Sequence, residues 1–397
     1  MNMITSGLPD LLAVAEHKRR WLLDTAVPLW SRTGRTNSGL FAERISFEGV
    51  PDAAYFRTFV QARHIFSFAT AGRLGWQGPW ADLIGTTIDV LTARGRREDG
   101  FYVHSLAEDG SMLDTRADLY DQAFILFALG LAGGVLKRAD LFDLAETLLD
   151  TLEKYWAHPN GGFTEGEIVD PAFRRQNPHM HLLEAFLTLA EESGRQRFME
   201  AALDIAKLAQ DRFIDRETGA LREYFTHDWA ALGTGPQREG DIIEPGHCCE
   251  WAWLFEKLAA NGWTDGLELS NRLAGFARSH GIDTARGVMI DEVWINGAVK
   301  SARARCWPQT ERAKVAALRW KRLRSTKEAQ EVVAAMQGLD FYLDVEIPGL
   351  WRDKFNADAS WVEELAPGSS LYHISCAIAE INKITDTASG KFPLVKA

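Results

Sequence analysis

The sequence predicts an all-α fold, an (α/α)6 barrel of twelve helices with long loops and short β-hairpins at one end, on three observations. Apolar residues recur with helical spacing through most of the chain. The connections between the helical segments alternate in length, and the long ones carry strand-like pieces around tight turns. The segments fall at about 8–30, 52–73, 77–96, 115–133, 139–157, 178–193, 196–213, 245–260, 265–281, 308–322, 327–344 and 369–385. Connections after even-numbered segments are short, as in GWQG (75–78) and NGWTDG (261–266). Those after odd-numbered segments are long: 31–51, 97–114, 158–177, 214–244, 282–307 and 345–368. Loops of this length are uncommon inside a compact domain, but their regular recurrence implies that they build a site at one end. FYVHSLAEDGSML (101–113) reads as a hairpin turning at Asp109-Gly110, and GVMIDEVWINGAVK (287–300) as one turning at Asn296-Gly297. No alternation of strands and helices supports a parallel sheet, and no linker divides the chain, so 1–397 reads as one domain. The alternative is an open solenoid of stacked helix pairs. The segments show no fixed period and no shared consensus, which favours the closed barrel.

Of 397 residues, 46% are hydrophobic, 25% charged and 11% aromatic, the balance of a packed protein. The net charge of -11, from 44 basic and 55 acidic residues, argues against a general nucleic-acid binder, which would need to neutralise phosphates. The opening MNMITSGLPDLLAVAEHKRR does not read as a signal peptide, because its apolar run is short and its basic cluster follows that run. No apolar stretch is expected to approach the ~18 residues needed to cross a bilayer. Four cysteines without a CxxC spacing indicate a reducing compartment and no zinc. The expectation is a cytoplasmic protein, monomer or homodimer, with no nucleic-acid or membrane partner. The 14 Trp, 21 Phe and 7 Tyr suit either a large core or the flat walls against which sugar rings bind.

The even-numbered segments begin with start signals. Thr115-Arg116-Ala117-Asp118 has the capping-box form, and Asn177-Pro178 gives an N-cap followed by Pro at the first helical position. Pro245 and Pro308 sit at comparable starts. Just inside these starts lie Tyr120, His181, His247, Trp307 with Glu311, and His373, which would converge on one mouth of a barrel. In EPGHCCEWAWLFEKL (244–258), His247, Glu250, Trp251 and Leu254 share a helix face, and QNPHMHLLEAFLTL (176–189) repeats the theme with His181 and Glu184. An H-x-x-E pair supplies only two metal ligands, and nothing completes the set. The plainer reading is a histidine tethered by a carboxylate that fixes its tautomer.

His17, His158, His227 and His280 read as surface or helix-end residues, His64 and His104 stay undecided, and His179 faces away from His181 and packs behind it. Arg63, inside an apolar helix, is either an ion pair or an anchor for a substrate oxygen, the second being favoured. Arg238, Arg303 and Arg305 are solvated loop charges or further anchors. Cys248, Cys249, Cys306 and Cys376 read as small buried hydrophobes rather than nucleophiles. Trp253 and Trp320 read as packing, Trp307 and Trp351 as walls of the site, and Trp294 as a loop residue before it.

The chain resembles the N-acylglucosamine 2-epimerase superfamily, especially its mannose isomerase and sulfoquinovose isomerase branch. The matching residues are Arg63 in QARHIF, Tyr120 in DLYDQAF, Asn177 and His181 in NPHMHLLEA, His247 and Glu250 in EPGHCCEWAWL, Trp307 to Glu311 in WPQTE, and His373 in LYHI. The resemblance implies an (α/α)6 barrel and a sugar isomerase or epimerase site with no metal and no cofactor. It implies His247 and His373 as acid and base. It further implies monosaccharide contacts by Arg63, Tyr120, Asn177, His181 and Glu250, with Arg238, Trp307, Glu311 and Trp351 around them. The pair Cys248-Cys249 departs from the family's usual residues but faces away from the His–Glu side. The expected reaction is aldose–ketose isomerisation, most simply D-mannose to D-fructose through a cis-enediol(ate). The alternatives are 2-epimerisation, or isomerisation of a sulfonated or phosphorylated sugar. A glycoside hydrolase would need two carboxylates flanking the bond, and the helix starts present histidines instead.

Overall fold

The computed structural model describes residues 8–169 and 173–389, so the extreme ends of the expected domain and three residues of the expected 158–177 loop lie outside the described residues. The first helix, α1 (Leu8–Arg20), runs through a π-helical turn (Trp21–Ala26) into α2 (Val27–Arg32) as one rod. Five helix pairs follow: α3 (Thr58–Arg73) with α4 (Trp80–Arg94), α5 (Leu119–Leu136) with α6 (Ala139–Tyr155), α7 (Asn177–Ser193) with α8 (Gln196–Leu208), α9 (Pro245–Ala260) with α10 (Gly266–His280), and α11 (Cys306–Leu323) with α12 (Thr326–Leu343). The last is α13 (Ser370–Ser389). Helices α3, α5, α7, α9, α11 and α13 form an inner ring in which each meets the next and α13 meets α3. The remaining helices form the outer layer, with α1 lying against α12 and α13. With the first rod counted as one helix, this is the twelve-helix (α/α)6 barrel the sequence predicts.

The two layers follow from side-chain distribution. Helix α5, LYDQAFILFALGLAGGVL, is apolar around its whole circumference and is therefore buried on all sides. Outer helix α6 buries Leu141, Ala145, Leu148, Leu149 and Leu152, a single stripe, and leaves its acidic face in water. Against the expectation from sequence, α5 is long and apolar enough to cross a membrane, but 78% of it is buried within the protein, so it is a core helix.

Several helix starts differ from the expected ones. Residues 112–114 pair with 105–106, so the chain is still extended at Thr115, and Asp118 itself caps α5 by accepting the Tyr120 N–H at 2.9 Å. Strand pairing at Phe56–Arg57 likewise delays α3 to Thr58. Asn177 is the first residue of α7 rather than its cap, and α11 begins at Cys306, two residues before Pro308.

The long loops all meet at the end where the inner helices begin. Both expected hairpins form, Ser105–Leu106 with Met112–Asp114 and Glu292–Trp294 with Val299–Ser301, although Val288–Met289 pairs instead with Ile282–Asp283. Pairing also runs from loop to loop around the whole circle. Phe56–Arg57 joins Ser105–Leu106, Asp118 bridges Gly166, and Phe173–Arg175 joins Tyr224–Thr226. Ile242–Ile243 then joins Val293–Trp294, Ala304–Arg305 joins Lys354–Phe355, and Ala366–Pro367 returns to Arg44–Ile45.

These loops share a consensus that the helices do not. A glycine at positive φ is followed two residues on by a large buried side chain, and four residues on by an acid in five repeats of six. The six glycines are Gly39, Gly100, Gly161, Gly219, Gly287 and Gly349. The buried residues are Phe41, Tyr102, Phe163, Leu221, Met289 and Trp351. The fourth-place residues are Glu43, His104, Glu165, Glu223, Asp291 and Asp353, at intervals of 58 to 68 residues. A repeat is therefore present, and what separates the protein from a solenoid is closure of the ring. The buried residue's backbone is gripped by a side chain from the next inner helix. Gln61 holds both polar groups of Phe41, Gln122 those of Tyr102 and Gln309 those of Met289, all at 2.7–2.9 Å. His179 accepts the Phe163 N–H at 3.0 Å.

Replacing Gln122 by Leu would leave the Tyr102 N–H and C=O buried without partners. The Gln122→Leu protein is expected to lose about 2–4 kcal/mol of stability, measured by denaturant unfolding.

Candidate active site

The starts of the inner helices bring His181 (α7), His247 (α9), Trp307 (α11) and His373 (α13) together. The Trp307 ring lies between the two histidines expected to be catalytic, its centroid 4.8 Å from His247 and 5.6 Å from His373. All three histidines are buried to within a few per cent, while Trp307 is half-buried.

The two flanking histidines sit in opposite fields. His247 Nδ1 is 2.9 Å from Glu223 and 3.8 Å from Glu244. Burial alone would lower its pKa, but the two carboxylates outweigh burial and raise it to about 9. His373 is held well below its ordinary value by burial, with the charges of Arg63 and Lys314 adding to the effect. Its Nδ1 is 2.8 Å from Glu311. Neutral His373 donates its Nδ1–H to Glu311, which leaves Nε2 as an unprotonated base.

Lys314 is fully buried, 2.6 Å from Glu311 and 4.0 Å from Glu250, with its ammonium 3.9 Å from the Trp253 ring centroid. One ammonium balances one of the two carboxylates. Glu250, whose oxygens make no hydrogen bond, is pushed up to about 8 by burial and by Glu311. It therefore stays protonated at neutral pH and can donate. Burial also opposes ionisation of Glu184, yet the His181 hydrogen bond, Lys314 and the Tyr372 hydroxyl hold it down to about 2. His181 itself is lowered to about 4 by burial.

Arg63 has no carboxylate partner among the described residues. It donates to the Tyr120 hydroxyl at 2.7 Å and to the Ser369 carbonyl at 3.2 Å, inside a cage of Phe59, Tyr120, Phe124 and Tyr372. Its Nε is buried without a partner, as is Asn177 Oδ1 at the start of α7. Unsatisfied polar atoms at this depth are costly, and a polyhydroxylated ligand would satisfy them.

Four expectations are corrected. Glu250 shares a face with His247, but the histidine bonds Glu223, which reaches it from the preceding loop. Glu311 holds His373 and Lys314 and is completely buried, so it orients the histidine rather than touching substrate. Trp351 is fully buried and stacks on Trp30 at 5.3 Å, with no face open to the mouth. Arg238 pairs with Asp241 at 3.3 Å in its own loop. Sequence reasoning missed Glu223, Glu244, Lys314 and Tyr372. The loop consensus marks Glu223, and a lysine one turn after Glu311 in an otherwise buried helix marks Lys314.

Among the other residues, His64 is packed neutral between Phe41 and Trp30, and His104 bonds Asp121 at 2.7 Å. His158, expected at the surface or a helix end, lies just past α6 and is buried against His227 and Trp229. All four cysteines are buried free thiols whose pKa burial raises, as expected of packing residues. Among the described residues, three acid and histidine clusters have the spacing of metal ligands. Lys314 already stands against two of them and Arg305 against the third. Two concavities of 540 and 390 Å³ lie between the far halves of the inner helices and contain no histidine.

Comparison with known proteins identifies the family and the fold. Residues 39–377 match the family described as N-acylglucosamine 2-epimerase (GlcNAc 2-epimerase). The chain is 40% identical over 371 residues to a mannose-6-phosphate isomerase of Rhizobium meliloti (strain 1021), covering 91% of this chain and 95% of that protein. It is 28% identical to a D-mannose isomerase of Pseudomonas cannabina pv. alisalensis, covering 70% and 71% respectively. Its fold matches the structure of cellobiose 2-epimerase from Spirochaeta thermophila DSM 6192 with a TM-score of 0.86 at 22% identity, over 97% of this chain and 100% of that one.

Histidine NMR titration should find His247 changing charge near pH 9 and His373 uncharged through the neutral range. Because the folded value of His247 lies above its ordinary 6.5, its contribution to stability is full below pH 6.5 and fades as pH rises through about 9. The same titration followed by unfolding should show that loss.

Proposed function

The chain belongs to the N-acylglucosamine 2-epimerase family of sugar isomerases and epimerases, and from that premise we propose that it interconverts D-mannose and D-fructose. The observation that carries this reading is the placement of two histidines on either side of Trp307, His247 beside Glu223 and Glu244 and His373 beside Glu311. His373 Nε2 removes the C2 proton of the open-chain aldose, and the electrons move toward C1–O1 to give a cis-enediol(ate). His247, charged, delivers a proton to the sugar oxygen during ring opening and oxygen-to-oxygen transfer. Arg63 and the Tyr120 hydroxyl stabilise the oxyanion, and His373 returns its proton to C1 to complete the ketose. Two histidines of unlike charge supply one base and one acid, and the relatives named as isomerases of mannose and its phosphate support isomerisation as the outcome. Epimerisation at C2 would use the same unlike pair, His373 removing the proton and charged His247 returning one to the opposite face of C2.

The charge balance favours an unmodified sugar. Of the four arginines that could hold an anion, Arg303, Arg305 and Arg238 are already paired with Asp291, Glu244 and Asp241, and Arg63, which has no carboxylate partner among the described residues, is assigned to the oxyanion. The 40% identical relative named for mannose 6-phosphate supports a second reading in which the sugar is phosphorylated.

Incubation with D-mannose, D-fructose, D-glucose and mannose 6-phosphate, with products resolved by chromatography, separates these readings. D-Fructose from D-mannose, undiminished by EDTA, is expected. Turnover of the phosphate alone would overturn the unmodified-sugar reading. His373→Ala and His247→Ala should each fold and lose about 10²–10⁴-fold in kcat, the contribution of a positioned acid or base.

A further inference from the structure

In the first, third and fifth loop repeats the acid forms a clamp with the arginine just before the next inner helix. Glu43 accepts the backbone N–H and Nε of Arg57 at 2.6 and 2.9 Å, and Glu165 those of Arg175 at 2.7 and 2.9 Å. Asp291 accepts those of Arg305 at 2.9 and 3.0 Å. The fourth repeat keeps the acid, as Glu223, but the residue before α9 is Glu244. The clamp's cation is thus replaced by an anion, and Glu223 is left to bond His247 and Gln176, at 2.9 and 2.8 Å. Glu244 is steadied from outside the repeat by Arg305, at 2.6 Å, which Asp291 also holds.

We propose that Glu244, standing where the first, third and fifth repeats place arginine, is a positioning residue that keeps His247 charged as the acid of the reaction. The catalytic part of this statement rests on the isomerase reading, whereas the electrostatic part does not. An arginine here would satisfy Glu223 and set a like charge beside the imidazolium, so the exchange reverses the sign of the field at Nδ1. The groups facing His247 are Glu223 from the preceding loop, Glu244 and Glu250 at the start of α9, His181 of α7, and the Trp307 ring of α11. Arg305 reaches this cluster through Glu244, and Lys300 acts on Glu244 from the neighbouring hairpin. The one guanidinium is already shared with Asp291, so the carboxylates dominate. The raised pKa of His247 agrees with this balance.

The test is an NMR titration of the His247 imidazole together with the pH dependence of kcat. Glu244→Gln should lower the His247 midpoint by about one pH unit and carry the alkaline limb of kcat down with it, with KM little changed. Glu244→Arg should lower both further, and Glu244→Asp should restore them. Arg305→Gln, which frees Glu244, should move the midpoint up and keeps the test available if the Glu244 variants do not fold. Glu165→Gln opens the equivalent clamp of the third repeat and should leave the His247 midpoint in place. An unchanged midpoint in Glu244→Gln, or an equal shift in Glu165→Gln, would overturn the proposal. A shifted midpoint in a protein whose wild type isomerises no sugar would overturn the isomerase reading and leave the electrostatic role standing.

Discussion

Five carboxyl groups, those of Glu184, Glu223, Glu244, Glu250 and Glu311, are buried together at the head of the barrel, where an ion without a partner is prohibitively costly. The chain resolves each of them differently. Glu311 is matched by Lys314, Glu184 by Tyr372 and His181, Glu244 by Arg305, and Glu223 by His247 and Gln176. Glu250 keeps its proton. The states of the two central histidines follow from this arrangement. One faces Glu223 and Glu244 and becomes a cation, while the other faces the Glu311–Lys314 pair and the further cation Arg63 and stays uncharged.

The fold supplies the positions from which that balance is struck. Each long loop ends where an inner helix begins, and the first two turns of the six inner helices carry Arg63, Tyr120, His181, His247, Trp307 and His373. The loops are fixed to those helices by glutamine and histidine side chains that replace missing strand partners. A side chain that grips both polar groups of a buried backbone unit orients the loop without a long sheet. Trp307 then fixes the spacing of the two histidines, since each ring packs on it.

The helices were legible in the sequence because their apolar periodicity is strong, and the histidines because they recur just inside helix starts. The partners were less legible. His247 and Glu250 lie one turn apart and do share a face, yet Glu223, 24 residues upstream, reaches the imidazole first. Spacing along a helix reveals neighbours on that helix and nothing of what an adjoining loop inserts. Trp351 was placed with the walls because it lies at the correct end of the barrel, but it occupies the buried position of its loop repeat, which Phe41 and Tyr102 fill elsewhere. The start of α5 was misjudged for a related reason: pairing with a neighbouring loop kept Thr115 extended, and a capping pattern cannot register a partner distant in sequence.

The loop-to-loop pairing that runs around the mouth has a mechanical consequence. Every loop is seamed to both neighbours, so none can lift as a flap without tearing hydrogen bonds on two sides. The rim therefore behaves as a hoop, sharing any local load among six segments. Ligands must be admitted by the shape of a fixed aperture and by side-chain rotation within it. Selectivity in such a vessel is exerted at the neck, before any bond is strained, and a change to one seam alters the bore for every ligand at once.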